Sequence, residues 1–419
     1  MTARVSSAAD SPSFGTARAR SRRVLFVIHY PEFGGPHNQA LQMAGRLASL
    51  GWDLIVLLPT GPSPAADRLR EAGIEVAQVP LSRLRATLRP DRQLRYAASV
   101  AGDVTRIRRL LREREVEIVM LAGLVNTQAA IASSLQKVAL VWQLLDTRAP
   151  KILAHAIMPL VTRLADVVMS TGSLVADLHP GATALAERLV TFMPPVDLEK
   201  FRANSSLRES ARRELGLTHD DVVIGTVGNL NPQKGHSLFV RAALILRKSH
   251  PRARFVILGA GYEQHQTYLE VVLNEAAAGG LVIGVDLIVR EPGPDVFRLA
   301  QAFDIFWMTS EPRSEGVPTA LEEAMALGLP VLSTDVGGVR EAIEDGVSGY
   351  VVPPGGADAL ARNTSVLLDD AHARRRMGEL ARRRAELLFG VDRCVANHVR
   401  AFELALQRRD GKARTSLRP

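Results

Sequence analysis

The chain has 419 residues, is 47% hydrophobic and 5% aromatic, and carries a formal charge of +8. That length exceeds what one core usually fills, so two globular domains are expected, and the scarcity of aromatics argues against a base-stacking platform for single-stranded nucleic acid. The one cysteine, Cys394, excludes an internal disulfide and a cysteine-rich metal site, while the basic excess points to anionic partners without choosing among them.

Residues 1–21 are rich in Ser, Ala and Arg and lack an apolar signal core, so they are expected to form a disordered tail. Val24–Ile28 is a short apolar run, the pattern of a parallel strand buried on both faces. It enters a loop containing Gly34, Gly35 and His37. A helix with Leu41, Ala44, Leu47 and Ala48 on one side follows, and then a second strand, Leu54–Leu58. Glycines at a first strand-to-helix turn let backbone approach a ligand. The same pair also fits an ordinary tight turn.

Gly73–Val79 alternates like a strand. Arg83, Arg85, Arg89, Arg92 and Arg95 then form a basic run, which reads either as a solvated face or as a surface for anionic lipid or an anionic acceptor. Strands are expected at Val116–Leu121 and Val138–Leu144, the latter carrying Gln143 and ending before Asp146. Ile152–Ser170 reads as a buried helix with a following strand; its His155, Arg163 and Asp166 argue against a membrane span. Strand–helix alternation to about residue 190 makes a doubly wound α/β domain. Thr191–Phe201, with Pro194–Pro195, reads as the linker.

Alternation then restarts. Strand Val222–Val227 leads into Asn229 and Lys234, just before a helix over His236–Arg247. The ammonium of a lysine placed there pairs with phosphate, although an exposed loop lysine is the commoner fate of that residue type. Further strands are expected at Phe255–Leu258, Val285–Val289, Asp304–Met308, Pro330–Thr334 and Tyr350–Val352, with a helix over Asp295–Ala302. The resulting organisation is a tail over 1–21, a first α/β domain over 22–195, a second over 196–390, a last helix over 391–409 with the first domain as its candidate seat, and a tail over 410–419.

The richest stretch runs from Ser314 to Met325, where an apolar strand enters a polar loop and then a helix. Helical spacing puts Ala320, Leu321, Ala324 and Met325 on one face and points Glu322 toward water, with Thr319 and Glu322 spaced as a capping box. Glu323 falls at the edge of the apolar stripe, where a carboxylate can face a cleft. Glu315 precedes the helix, whose free N–H groups suit a phosphate. A carboxylate on either side of an anion site suits a nucleotide sugar, because carboxylates accept from sugar diols. Spacing alone equally fits two solvated acids near a helix start. No His, Cys, Asp or Glu cluster has metal-ligand spacing, and Ser173 is not in a nucleophile elbow.

Together Glu315-Gly316-Val317-Pro318, Glu323-Ala324-Met325-Ala326, Gly328-Leu329-Pro330-Val331, Gly337-Gly338-Val339-Arg340-Glu341 and Asp345 through Pro353 resemble the retaining GT-B glycosyltransferases of family four, the group 1 family. Pro195–Phe201 is similar to that family's interdomain stretch. The resemblance implies two Rossmann-like domains facing a cleft, no cofactor, no metal, and a nucleotide-diphosphate sugar as donor. It implies that Glu323 binds the ribose, that Glu315 faces the transferred sugar, and that Gly316, Val317 and Pro318 line the donor. It further implies that Lys234 neutralises the leaving diphosphate beneath the Gly34–Gly35 loop, with Asn229 beside it. Asn229 stands where the family usually has Arg, and the family's His near Leu145 is absent, which leaves His37, Gln143 and Asp146 as sugar-side or acceptor-side candidates. The implied activity is retaining, metal-independent hexosyl transfer to a glycan, lipid-linked or small-molecule acceptor in envelope polysaccharide synthesis. The implied location is cytoplasmic or peripheral at the inner membrane. A related nucleotide-sugar epimerase and a non-catalytic nucleotide-sugar binder are the alternatives.

Overall fold

A computed structural model describes residues 21–82, 90–145, 147, 149–259, 261, 266–293, 296–312 and 315–415; of the tails expected at 1–21 and 410–419, residues 1–20 and 416–419 lie outside the described residues. Seven strands form the first sheet: β1 (Arg22–Val27), β2 (Trp52–Pro59), β3 (Glu75–Val79), β4 (Ile118–Ala122), β5 (Ala139–Leu144), β6 (Val167–Thr171) and β7 (Leu189–Phe192). Six form the second: β8 (Val222–Val227), β9 (Ala253–Leu258), β10 (Leu287–Arg290), β11 (Ile305–Met308), β12 (Val331–Thr334) and β13 (Gly349–Val352). Every pairing is parallel, in the orders β3-β2-β1-β4-β5-β6-β7 and β10-β9-β8-β11-β12-β13. The chain is therefore a pair of Rossmann-like α/β domains.

Parallel strands covered by helices on both faces are mostly apolar, and the interior strands follow this with a few buried polar exceptions such as Gln143 on β5 and Ser333 on β12. The apolar face residues of the first sheet divide between two cores, one around Phe26, Val56 and Met120 and the other around Leu25, Val119 and Trp142. In each sheet the strand order reverses beside the first strand of its domain, between β1 and β4 and between β8 and β11. Open α/β sheets bind ligands at the carboxyl ends of strands at such a reversal. The loops after β1, β8 and β11 are those carrying Gly34–Gly35, Asn229–Lys234 and Glu315.

The structure changes several expected boundaries. The last strand of the first sheet is Leu189–Phe192, so the crossing begins after Phe192 rather than at Thr191. The helix expected to be buried near Ile152 is Lys151–Leu164, and it is amphipathic: Ala154, Ile157, Met158 and Val161 are buried, whereas Ile152 is 86% exposed. The last helix runs over Val391–Thr415, beyond the expected stop at 409 and through Gly411. It lies on the first domain, where Cys394, Val395, Ala401, Phe402 and Ala405 join the core around Phe26. The outgoing and returning crossings touch, with Val196 N–H donating to the Phe389 carbonyl at 2.8 Å.

Candidate active site

Lys234 ends a short 3-10 turn, Pro232–Lys234, and its ammonium donates to Glu315 Oε1 at 2.6 Å. The Ser310 hydroxyl donates to the same oxygen at 2.9 Å. Glu315 is buried and Lys234 half-buried, so the pair is well shielded from solvent. Its geometry depends on Gly235, which has φ +65° and whose added Cβ would lie 1.9 Å from the Thr309 carbonyl oxygen. Only glycine allows the loops after β8 and β11 to approach this closely. Immediately beyond, the helix His236–Arg247 presents its N-terminus. Asn229 is half-buried at the end of β8, and its carbonyl accepts from Asn231 N–H at 2.8 Å.

The helix after the loop is Thr319–Ala326, with extended Pro318 at its N-cap and no side-chain cap. The expected Thr319–Glu322 capping box does not form. Nor does Glu322 face water: it is fully buried, neither carboxyl oxygen has a hydrogen-bond partner among the described residues, and burial first and Glu323 second push its pKa well above the usual range. The helical wheel fails here because it assumes a solvent side. This helix is packed by Ala371–Leu388, and Glu322 acts electrostatically on Cys394 at the start of the last helix, whose thiol burial also pushes up.

Glu323 is partly covered. Burial raises its carboxyl to about 7, while Lys200 and then Arg68 pull it back. Arg68 comes from the first-domain helix Pro64–Glu71, and its guanidinium lies 4.2 Å over the Phe33 ring. The sequence reading gave neither cation a role. Lys200 lies in the interdomain stretch Pro195–Phe201, and only the juxtaposition of the two domains brings Arg68 toward Glu323.

In the first domain, Gly34 N–H donates to His37 Nδ1 at 3.2 Å, which assigns the ring proton to Nε2. His37 is fully buried against Tyr30 and Phe33, and burial lowers its pKa to about 4. It packs the glycine loop from within and is a neutral group at ordinary pH, not an open sugar-side base. Gly35 is exposed, and a Cβ on it would meet nothing within 4 Å. Gln143 is also misplaced by the sequence reading. It is buried on β5, and its amide nitrogen lies 2.9 Å from His398 Nε2, which Gln39 also approaches at 2.8 Å. Strand alternation turns Gln143 under the last helix, where His398 Nε2 accepts from Gln143 and Gln39 and ties that helix to the first domain; His398 Nδ1 donates within its own helix to the Cys394 carbonyl at 2.8 Å.

Asp146 lies outside the described residues, but both neighbours meet the loop bearing Glu315 and Gly316. Thr147 Oγ1 donates to the Glu315 carbonyl at 3.3 Å, and a Cβ on Gly316 would lie 1.9 Å from the Leu145 carbonyl oxygen. Val317 is buried in the second-domain core. Arg83, Arg85 and Arg89 lie outside the described residues; Arg92 and Arg95 belong to the helix Pro90–Glu113, with side chains outside the described set. Among the described residues, no group of three His, Cys, Asp or Glu is placed to hold a metal ion, and no helix is long and apolar enough to cross a membrane.

The structure thus unites Lys234, Glu315 and Gly316 and brings Glu323 within reach of cations from elsewhere. It sets His37 and Gln143 into packing.

Known proteins are similar to each of the two domains. The family described as "Glycosyl transferases group 1" matches residues 208–384, and "Glycosyl transferase 4-like domain" matches residues 34–194. The chain is 34% identical over 229 residues to a D-inositol 3-phosphate glycosyltransferase from Corynebacterium urealyticum, covering 52% of each chain. It is 34% identical over 181 residues to the amylovoran biosynthesis glycosyltransferase AmsK of Erwinia amylovora, covering 42% of this chain and 41% of that one. The chain thus spans about half the length of the curated relatives it matches, 52% in the first case. In fold it is similar to Anabaena Alr3699/HepE, solved in complex with UDP-glucose, with a TM-score of 0.75, 22% identity and coverage of 91% of this chain and 99% of that one.

Proposed function

Since this chain belongs to the group 1 glycosyl transferase family, we propose that it moves a sugar from a nucleotide-diphosphate sugar to an acceptor hydroxyl, with retention and without a metal. The observation that carries the reading is the Lys234–Glu315 pair at 2.6 Å, held at the carboxyl edge of the second sheet beside two helix N-termini. In this reading the donor diphosphate lies over the N-terminus of His236–Arg247. When the donor binds, Lys234 turns from Glu315 to the diphosphate, so that its ammonium and the helix amides are already in place when charge grows on the leaving oxygen and stabilise it without further reorganisation. Released from Lys234, Glu315 accepts from hydroxyls of the transferred sugar. Glu323 accepts from the ribose diol.

The bond from the anomeric carbon to the phosphate oxygen breaks, and a bond to the acceptor oxygen forms on the same face. The acceptor proton passes to the leaving phosphate, so no protein nucleophile is required. A uridine donor is the first candidate, because a structure of the same fold was solved with UDP-glucose. The acceptor is a glycan, a lipid-linked sugar or a small polyol, met in the first domain. The enzyme works in the cytoplasm or at the inner membrane surface.

A panel of uridine and guanosine diphosphate sugars, titrated calorimetrically and then offered with acceptors, tests the reading. One donor should bind and turn over with its anomeric configuration kept, in the presence of a chelator. Absence of binding by every member would overturn it.

A further inference from the structure

A second carboxylate joins the two domains. Glu341 sits in the short helix Val339–Ala342, just after the Gly337–Gly338 turn. Its Oε2 accepts from Ser173 N–H at 3.0 Å and its Oε1 from Leu174 N–H at 2.7 Å. Ser173 and Leu174 open a helix at the end of β6, in the other domain. The preceding Gly172 has φ +84°, and a Cβ on it would lie 2.5 Å from Glu341 Oε1. Backbone at position 172 is therefore shaped to admit this carboxylate.

The second-domain end of the contact is stiff. Arg384 donates to the Glu341 and Ala342 carbonyls, at 2.8 and 2.5 Å. Gly338 N–H donates to the Gly316 carbonyl at 2.8 Å, and a Cβ on Gly337 (φ +53°) would lie 2.2 Å from that oxygen. Gly316 in turn abuts Leu145 and Thr171 of the first domain. Glu341, the glycine turn and the loop bearing Glu315 form one connected piece, pressed against the first-domain wall. The two chain crossings, paired through Val196 and Phe389, leave the domains a place to hinge.

We propose that Glu341 is a positioning residue that latches the two domains closed and so sets the Glu315–Pro318 loop in its reactive place. The catalytic half of this proposal rests on the glycosyl-transfer reading; the latch itself does not. Glu341 touches no part of the donor site, so its loss acts on closure and not on nucleotide contacts.

Spin labels at L135C and V366C, exposed positions in the two domains, report closure by pulsed dipolar spectroscopy, and buried Cys394 stays unlabelled. Glu341→Ala should shift the distances outward, with a closed-to-open ratio lower by about tenfold, the worth of roughly one net charge-assisted hydrogen bond. Transfer kcat should fall by a similar factor, while UDP affinity stays within about twofold because the second domain still holds the nucleotide. Ser173→Pro removes one of the two N–H donors at a first helical position, where proline is tolerated, and should move the distances the same way. It also gives the answer if Glu341→Ala does not fold. Unchanged distances in these variants overturn the latch, as does a loss of UDP binding equal to the loss of kcat. A wild-type protein that transfers no sugar yet opens on Glu341→Ala would overturn the functional reading and keep the latch.

Discussion

Lys234→Met separates charge from packing at the site. A Cβ at Gly228 would lie 3.3–3.5 Å from the Cδ, Cγ and Cε atoms of the lysine stem, so the stem fills the space over that glycine and a methionine can occupy much of it. What is lost is the ammonium, which at 2.6 Å is the cation bonded to Glu315. One fixed donor at a developing anion is worth about 10²–10³ in kcat, or roughly 3–4 kcal/mol. Ground-state nucleotide binding should weaken far less, by about tenfold or under, because the helix N-terminus remains. Stability carries a separate cost: Glu315 keeps Ser310 but loses its charged partner, a penalty of about 1–3 kcal/mol. Lys234→Met with Glu315→Gln removes that penalty and restores the denaturation midpoint without restoring turnover. Single-turnover transfer rates, with UDP titrations on the same preparations, read both effects. A kcat within about fivefold of wild type would refute the assignment of leaving-group charge to Lys234.

Two further outcomes follow from the buried carboxyls. Glu322 has no hydrogen-bond partner among the described residues and a raised pKa, so Glu322→Leu should stabilise the fold by about 1–3 kcal/mol at pH 8. Because the folded pKa lies above the unfolded one, the carboxyl's penalty grows as pH rises from about 4.5, and the gain should shrink toward pH 5 in denaturant titrations; a pH-independent gain would contradict this. Glu323 titrates near 7 in the free protein, and ribose hydroxyls favour its ionised form. UDP should therefore bind more tightly as pH rises from 6 to 8 and release protons, seen as a buffer-dependent calorimetric heat. Glu323→Gln should bind weakly and lose that pH dependence, whereas proton uptake on binding would contradict the assignment.

The double α/β architecture was legible because each buried parallel strand is a short apolar run closed by turn residues, as in Val24–Ile28 and Ile305–Met308. The meeting of Lys234 with Glu315 was expected only through a shared ligand. Their direct bond depends on Gly235 allowing two loops to touch, a long-range contact without local periodicity. Errors arose where one element covers another. Glu322 looked solvent-facing on its own helix and is sealed in by Ala371–Leu388 and the last helix. Gln143 and His37 looked like cleft residues by position and are turned into packing by His398 and by the Tyr30–Phe33 rings.

The same dependence on assembly explains the glycines of the seam. Gly172, Gly316, Gly337 and Gly338 belong to different stretches of sequence, yet each leaves room for an atom from another stretch: Glu341 for Gly172, the Leu145 carbonyl for Gly316, the Gly316 carbonyl for Gly337 and the Val317 side chain for Gly338. A side chain at Gly172 or Gly316 would hold the first-domain wall off the second domain, and one at Gly337 or Gly338 would push the glycine turn off the loop bearing Glu315. Affinity for the nucleotide can be carried by the second domain alone, through Lys234, Glu323 and the helix N-termini. In the proposed reaction the transferred sugar meets an acceptor on the first domain, and an ångström of misplacement there costs orders of magnitude in rate. Gly172→Ala, which touches only the Glu341 contact, should lower kcat while leaving UDP affinity nearly intact.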